Sequence, residues 1–200
     1  MTRAQLKAKA KENLIGNWAI AIFTVILTDI LISIPILYCG QPKLDEFKIT
    51  ISVISILING VITLGLNRFL LDLATKNKEA KVSTLFSQFN IYFKALGLSL
   101  LYYLVILVGI LFFIIPGIVF YFMFSQAYFI LAEDTSKSII QCMSESATLM
   151  RGHKVDLFVL ELSFVGWEVL SIITFGIVGI WVEPYRKVTL ANFYLDIKKI

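Results

Sequence analysis

The stretch from Ala95 to Ala132 reads ALGLSLLYYLVILVGILFFIIPGIVFYFMFSQAYFILA and holds no Asp, Glu, Lys or Arg. A helix needs roughly 18 or more apolar residues, at about 1.5 Å each, to cross the hydrocarbon core of a bilayer. This stretch is long enough for two such helices, and Pro116-Gly117 lies inside it as a turn signal. The reading is a transmembrane hairpin whose first limb runs from about Ala95 to Ile115 and whose second runs from about Ile118 to Ala132. The second limb is short, so it either tilts little or meets a thinned bilayer.

The rest of the 200-residue chain agrees with a membrane solvent. Hydrophobic residues make up 58% and charged residues 16%, and the mean hydropathy is +0.83. Soluble domains run about 45–50% apolar and about 25% charged. The net charge of +4 suits Lys and Arg gathered in cytoplasmic loops, where they set orientation and meet anionic head groups. No basic stripe alternates with exposed aromatics, so no nucleic-acid partner is expected. The two cysteines, Cys39 and Cys142, have neither metal spacing nor the look of a disulfide framework.

Working toward the N-terminus, Ser83 is read as the cap of a short interfacial helix in which Leu85, Phe86, Phe89 and Phe93 share a face. Before it lies a basic loop, Asp72 to Lys81, with Lys76, Lys78 and Lys81. Span two runs from about Ile49 to Leu71, and a balanced polar loop, Gly40 to Lys48, joins it to span one, about Trp18 to Tyr38. The basic N-terminus does not mark a cleaved signal, because span one exceeds the roughly 7–15 apolar residues of a signal peptide. Thr2 to Leu14 reads as a basic helix on the cytoplasmic surface, with Leu6, Ala10 and Leu14 in one stripe. Gly16-Asn17 ends it.

Toward the C-terminus, Glu133-Asp134-Thr135-Ser136 suits a helix start. Ile139, Ile140, Met143, Ala147 and Met150 form the apolar face of that helix, and Gly152 stops it. Span five runs from about Val155 to Thr174. The last segment, Ile177 to Tyr194, is too polar for an ordinary lipid-facing span and reads as a kinked helix packed on the bundle or a re-entrant element. The basic segments fall on one side only with six crossings. The expected fold is therefore all-α: a polytopic bundle of about six membrane segments in three hairpins, forming one domain over residues 1–200. Both ends are cytoplasmic, and Cys39 and Cys142 lie on opposite sides.

Five stretches carry a family resemblance: AKAKENLIGNW (8–18), LFSQFNIYFKAL (85–96), IIPGIVFYFMFSQAYFILAE (114–133), MRGHKVDLFVLELSFVGW (150–167) and TFGIVGIWVEPYRKVTLANFY (174–194). They resemble a bacterial family of integral membrane proteins catalogued as domain of unknown function 975. The chain is also distantly similar to the membrane domain of glycerophosphodiester phosphodiesterases, without any stretch like their soluble catalytic domain. The resemblance implies a multi-pass fold in a bacterial inner membrane. It brings no activity and no catalytic residues.

The residues left to carry function are the charges within apolar segments, which cost about 2.5–3.5 kcal/mol each at mid-membrane on insertion scales. Asp29, Glu161, Glu168, Glu183 and Arg186 form a candidate polar seam. Glu161 and Glu168 are seven apart and would share one face of an unbroken helix, about 10 Å apart along its axis. Glu183 and Arg186 have i,i+3 spacing, suited either to a head-group clamp or to an internal ion pair. Asp29 either lines the same seam or bonds to Asn59 or a serine. The lone His153 reads as an interfacial anchor. No nucleophile and base pair, no phosphate loop and no cluster of metal ligands is evident, so no enzyme activity, cofactor or metal is expected. The expected partners are the lipid bilayer, anionic lipids at the cytoplasmic face and another membrane protein. The leading functional expectation is a non-enzymatic accessory, scaffold or envelope-homeostasis protein. The alternative is a small transporter or lipid-handling protein that uses the carboxylate seam.

Overall fold

Long apolar runs that cannot hydrogen-bond to water satisfy their backbone groups within helices, and the computed structural model of the chain follows that rule. It describes residues 1–39, 46–76 and 80–199. These form α1 (Arg3–Leu14), α2 (Trp18–Cys39), α3 (Glu46–Thr75), a 3₁₀ segment (Val82–Ile91), α4 (Tyr92–Phe112) and α5 (Ile114–Phe124). There follow α6 (Ala127–Glu133), α7 (Ile139–Leu149), α8 (Lys154–Leu162), α9 (Val165–Ile173) and α10 (Gly179–Ile197). No strand occurs among the described residues. Most of the balanced loop after span one (40–45) and Lys78 of the next loop lie outside them.

Three stretches among the described residues are long and apolar enough to cross a membrane: Leu57–Thr75, Val82–Phe112 and Ile114–Glu133. A fourth appears if α1 and Trp18–Ser33 of α2, which meet at 101°, count as one bent span. Three or four such stretches leave the six-segment arrangement unshown, and two of its segments are interrupted or charged. Span five is broken into α8 and α9, of nine residues each. The last segment carries Glu183, Arg186 and Lys187 within its helix.

α1 begins with a reciprocal cap. The Thr2 hydroxyl accepts from Gln5 N (3.3 Å) while the side-chain Gln5 Oε1 accepts from Thr2 N (2.7 Å). Its stripe of Leu6, Ala10 and Leu14 is buried as expected, but against protein. Leu6 packs in one apolar cluster with Leu157 and Leu160 of α8 and Phe193 and Ile197 of α10. Asn13 Nδ2 donates to the Ala74 carbonyl near the end of α3 (2.8 Å). Gly16, at φ +80°, turns the chain into α2.

The hairpin turns three residues earlier than Pro116-Gly117 suggests. Phe113 alone is extended, at φ −165° and ψ 152°, between α4 and α5. Pro116 instead occupies the first turn of α5, where its missing N–H leaves no helical bond unmade. Gly117 lies against α4, and a Cβ there would stand 2.5 Å from Ile110 Cγ1 and 3.1 Å from Ile110 N. The second limb is itself interrupted at Ser125-Gln126, between α5 and α6.

The interfacial segment before α4 also differs from expectation. It is a ten-residue 3₁₀ helix with no side-chain cap, and it buries Leu85 and Gln88 while Phe86, Phe89 and Phe93 stay exposed. The reason lies in α3. A Cβ at Gly65 would run into the Leu85 carbonyl, so only glycine lets the 3₁₀ backbone rest directly on α3. At the α6–α7 corner, Asp134 Oδ1 accepts from Ser136 N (3.0 Å) and Ser136 Oγ (2.6 Å), forming a local turn. The helix therefore starts later, at Ser138, in a capping box with Gln141. Lys137 crosses the corner to Glu145 (2.6 Å), and that hydrogen bond raises its ammonium above the ordinary lysine value.

Gly65→Ala is expected to lower stability by about 2–3 kcal/mol, in the upper range for overpacking, read as a lower unfolding midpoint of the detergent-solubilised protein. An unchanged midpoint would contradict the backbone contact between α3 and the 3₁₀ segment.

Candidate functional site

On α10, positions 183, 186 and 187 fall on one face by i,i+3 and i,i+4 spacing. Arg186 grips Glu183 with a two-pronged fork, Nε to Oε2 at 3.2 Å and Nη2 to Oε1 at 3.0 Å, the strong geometry for a guanidinium and a carboxylate. Its remaining Nη1 reaches Glu168 Oε1 on α9 at 3.4 Å. Lys187 Nζ donates to Asp29 Oδ1 on α2 at 3.1 Å and lies 3.5 Å from Glu183 Oε1. Four of the five expected seam residues thus join one ion-pair network. The link that sequence reading left out is Lys187, which replaces Asn59 or a serine as the partner of Asp29. Asn59 instead accepts from the Thr63 hydroxyl (3.0 Å).

The fifth seam residue, Glu161, stands apart. α8 and α9 do not form the straight helix that would align it with Glu168. They are separated by Ser163 and Phe164. Lys7 of α1 covers the break, donating to the Ser163 carbonyl (3.2 Å) and standing 4.0 Å above the Phe164 ring. The break leaves Glu168 on Arg186 and turns Glu161 toward a cavity. Among the described residues Glu161 makes no hydrogen bond or ion pair, although it feels the nearby charge of Arg186.

That cavity measures about 300 Å³ and lies between helices α2, α3, α4, α5, α6, α8 and α10. Its polar wall includes Thr28, Thr63, Asn67, Gln126, Glu161 and Lys187. Tyr102, Tyr121 and Phe129 supply aromatic rings, two of them with hydroxyls. Gln126 is 3% exposed, and its side-chain oxygen is buried without a partner. A buried acceptor left unpaired costs about 1–3 kcal/mol. A second cavity of about 300 Å³ touches Val25, Asp29, Gly179, Glu183 and Pro184. The Lys187 bridge to Asp29 and Glu183 therefore stands between the two cavities.

Other charges are spent on the scaffold. Tyr194 and Lys198 both donate to Glu133 (2.5 Å each). Arg68 donates to the Ala132 carbonyl (3.1 Å). His153 contacts Asp156 at 3.2 Å. Among the described residues no group of His, Cys, Asp and Glu is placed to hold a metal ion.

Residues 102–200 match the family model described as protein of unknown function (DUF975). The match takes in α5 to α10, which carry Gln126, Glu161, Glu168, Glu183, Arg186 and Lys187, and it supports the family resemblance read in the sequence. No curated protein and no solved structure matches the chain. The similarity to glycerophosphodiester phosphodiesterases is not shown by these comparisons.

Arg186→Leu strips Glu183 of its fork and leaves it largely inside the protein. The expected loss is about 3 kcal/mol, at the low end for breaking a buried pair, measured by equilibrium unfolding in detergent. Arg186→Lys, which keeps the charge without the fork, is expected to recover only part of it. Equal stability of all three proteins would show that the network contributes nothing to folding.

Proposed function

We propose that this chain is a small multi-pass membrane transporter that binds a polar solute between its helices. The observation that carries this reading is Glu161, a carboxylate without a direct partner among the described residues, facing an open cavity bordered by α2, α3, α4, α5, α6, α8 and α10. Burying such a group against apolar helices has a cost that a purely structural element would remove by pairing. The Lys187 bridge suits a barrier in a pathway, because the inner cavity lies on one side of it and the second cavity on the other. The accessory or scaffold reading rests on the exposed Phe86, Phe89, Phe93 and Ile140 as docking surfaces, since the apolar face of α1 is covered by α8 and α10.

The test is uptake into proteoliposomes of a panel of labelled amines, amino acids and sugars. Wild-type protein is expected to admit at least one class, and Glu161→Gln to abolish that flux while keeping its helical content and unfolding midpoint. No uptake of any class, or equal uptake by both proteins, would return the accessory reading to first place.

The topology that accompanies this function has six crossings in three hairpins and cytoplasmic ends in a bacterial inner membrane. Phe175, 98% exposed at the turn after α9, then lies outside, and the exposed Ser144 of α7 lies inside. Cys142 is fully buried and so reports neither side. In a Cys39→Ser background, an impermeant thiol reagent on intact cells is expected to label Phe175→Cys and spare Ser144→Cys. The reverse pattern would overturn the orientation.

A further inference from the structure

The cavity wall is unusual in what it does with its hydrogen-bond donors. Thr28 Oγ1 donates to the Thr24 carbonyl (2.8 Å), and Asn67 Nδ2 donates to the Thr63 carbonyl (2.8 Å). Thr63 Oγ1 donates to Asn59 Oδ1 (3.0 Å). Ser125 Oγ donates to the Phe122 carbonyl (2.8 Å) and accepts from Gln126 Nε2 (2.8 Å). That pair of bonds fixes the orientation of the Gln126 amide, because the serine has no second proton to give to the amide oxygen. Each of these groups has turned a donor back onto its own helix or its neighbour. What their hydroxyls keep is acceptor capacity, beside the Asn67 oxygen and the unpaired Gln126 Oε1, while the Asn67 amide keeps one N–H and the Tyr102 and Tyr121 hydroxyls also line the space.

The charges point the same way. Lys187 lines the cavity, but its ammonium is held by Asp29 and Glu183. Arg186 is occupied by Glu183 and Glu168. The two cations thus serve three carboxylates, and Glu161 is a fourth without a direct partner. Tyr102, Tyr121 and Phe129 also line the space, and an aromatic face attracts a cation that lies over it. At about 300 Å³ the space lies at the small end of ligand pockets, which run about 300–1,000 Å³.

We infer that the cavity binds a small organic cation bearing N–H donors, a primary ammonium or a guanidinium, with Glu161 as its counter-charge and Gln126 Oε1 as a directing acceptor. This inference rests on the proposed solute site but not on transport. A protein that binds the cation and never releases it across the membrane would satisfy the one and fail the other.

The experiment is isothermal titration of the full chain in nanodiscs with n-butylammonium, agmatine, n-butyramide, butyrate and potassium chloride. Butylammonium or agmatine is expected to bind, Glu161→Gln to weaken that binding at least tenfold, and Gln126→Leu to weaken it several-fold. Butyramide and butyrate are expected not to bind. The unliganded melting of each variant, unchanged from wild type, separates lost binding from lost folding. A variant that melts differently is replaced by Glu161→Asp, which keeps the charge and is expected to weaken binding less than tenfold. The inference fails if neither amine binds, if butyramide or butyrate binds as tightly, or if Glu161→Gln leaves affinity unchanged. Potassium binding of equal strength would also overturn it, by making the ligand an inorganic ion.

Discussion

The arrangement turns on one constraint: a charge carried into an apolar bundle must find its counter-charge inside that bundle. α10 brings Glu183, Arg186 and Lys187 along a single face, and those three residues are held only because α2 supplies Asp29 and α9 supplies Glu168. Removing one partner strands another, so the network ties α2 to the distant, consecutive helices α9 and α10. Desolvation sets a high cost for each ion, and a bidentate fork with further contacts is the geometry that best offsets it. Packing contributes the rest. The apolar cluster around Leu6, Leu157 and Phe193 brings α1, α8 and α10 together, and the glycine contact at Gly65 sets the depth of the 3₁₀ segment.

The same constraint explains the break between α8 and α9. In a continuous helix Glu161 and Glu168 would meet one environment. The interruption at Ser163-Phe164 lets them meet two, one at the Arg186 fork and one at the cavity. A broken helix exposes carbonyls that need donors. Lys7 serves the Ser163 carbonyl, and its ammonium lies over the Phe164 ring. α1 is therefore a structural strut of the site rather than a surface ornament. Its basic side chains, read from sequence as belonging to a helix on the cytoplasmic surface, are partly committed inward. Lys11, 5.7 Å from the Tyr185 ring centroid, follows Lys7 in this.

The legible parts of the fold were those set by local periodicity. The stripe Leu6, Ala10 and Leu14, the stop at Gly16 and the pairing of Glu183 with Arg186 all follow from spacing within one helix. What spacing cannot reveal is a partner far along the chain. Lys187 and Asp29 are 158 positions apart, and nothing local distinguishes Lys187 from an interfacial lysine. Turn chemistry misled in two places. Pro116 is as much at home in a first helical turn as in a loop, and the hydroxyl run before α7 formed an Asx turn instead of a cap. Gln126 was silent for another reason. One amide within an apolar run looks like a tolerated polar residue, and only burial with an unpaired oxygen makes it informative.

A polar cavity in such a bundle could be a packing defect filled by water, and the side chains argue against that. Water both gives and accepts, so it can answer the hydrogen bonds of a wall but not its unbalanced charge. Here Thr28, Thr63, Asn67 and Ser125 each direct a donor onto a neighbouring protein acceptor, and the charge left over is negative. The lysine that lines the space is held by two carboxylates instead of by Glu161. The unpaired Gln126 oxygen and Glu161, partnerless among the described residues, make that part of the wall complementary to a cation that donates. Ammonium and guanidinium groups donate and carry positive charge, so the unpaired amide oxygen and the charge balance point to the same class of ligand.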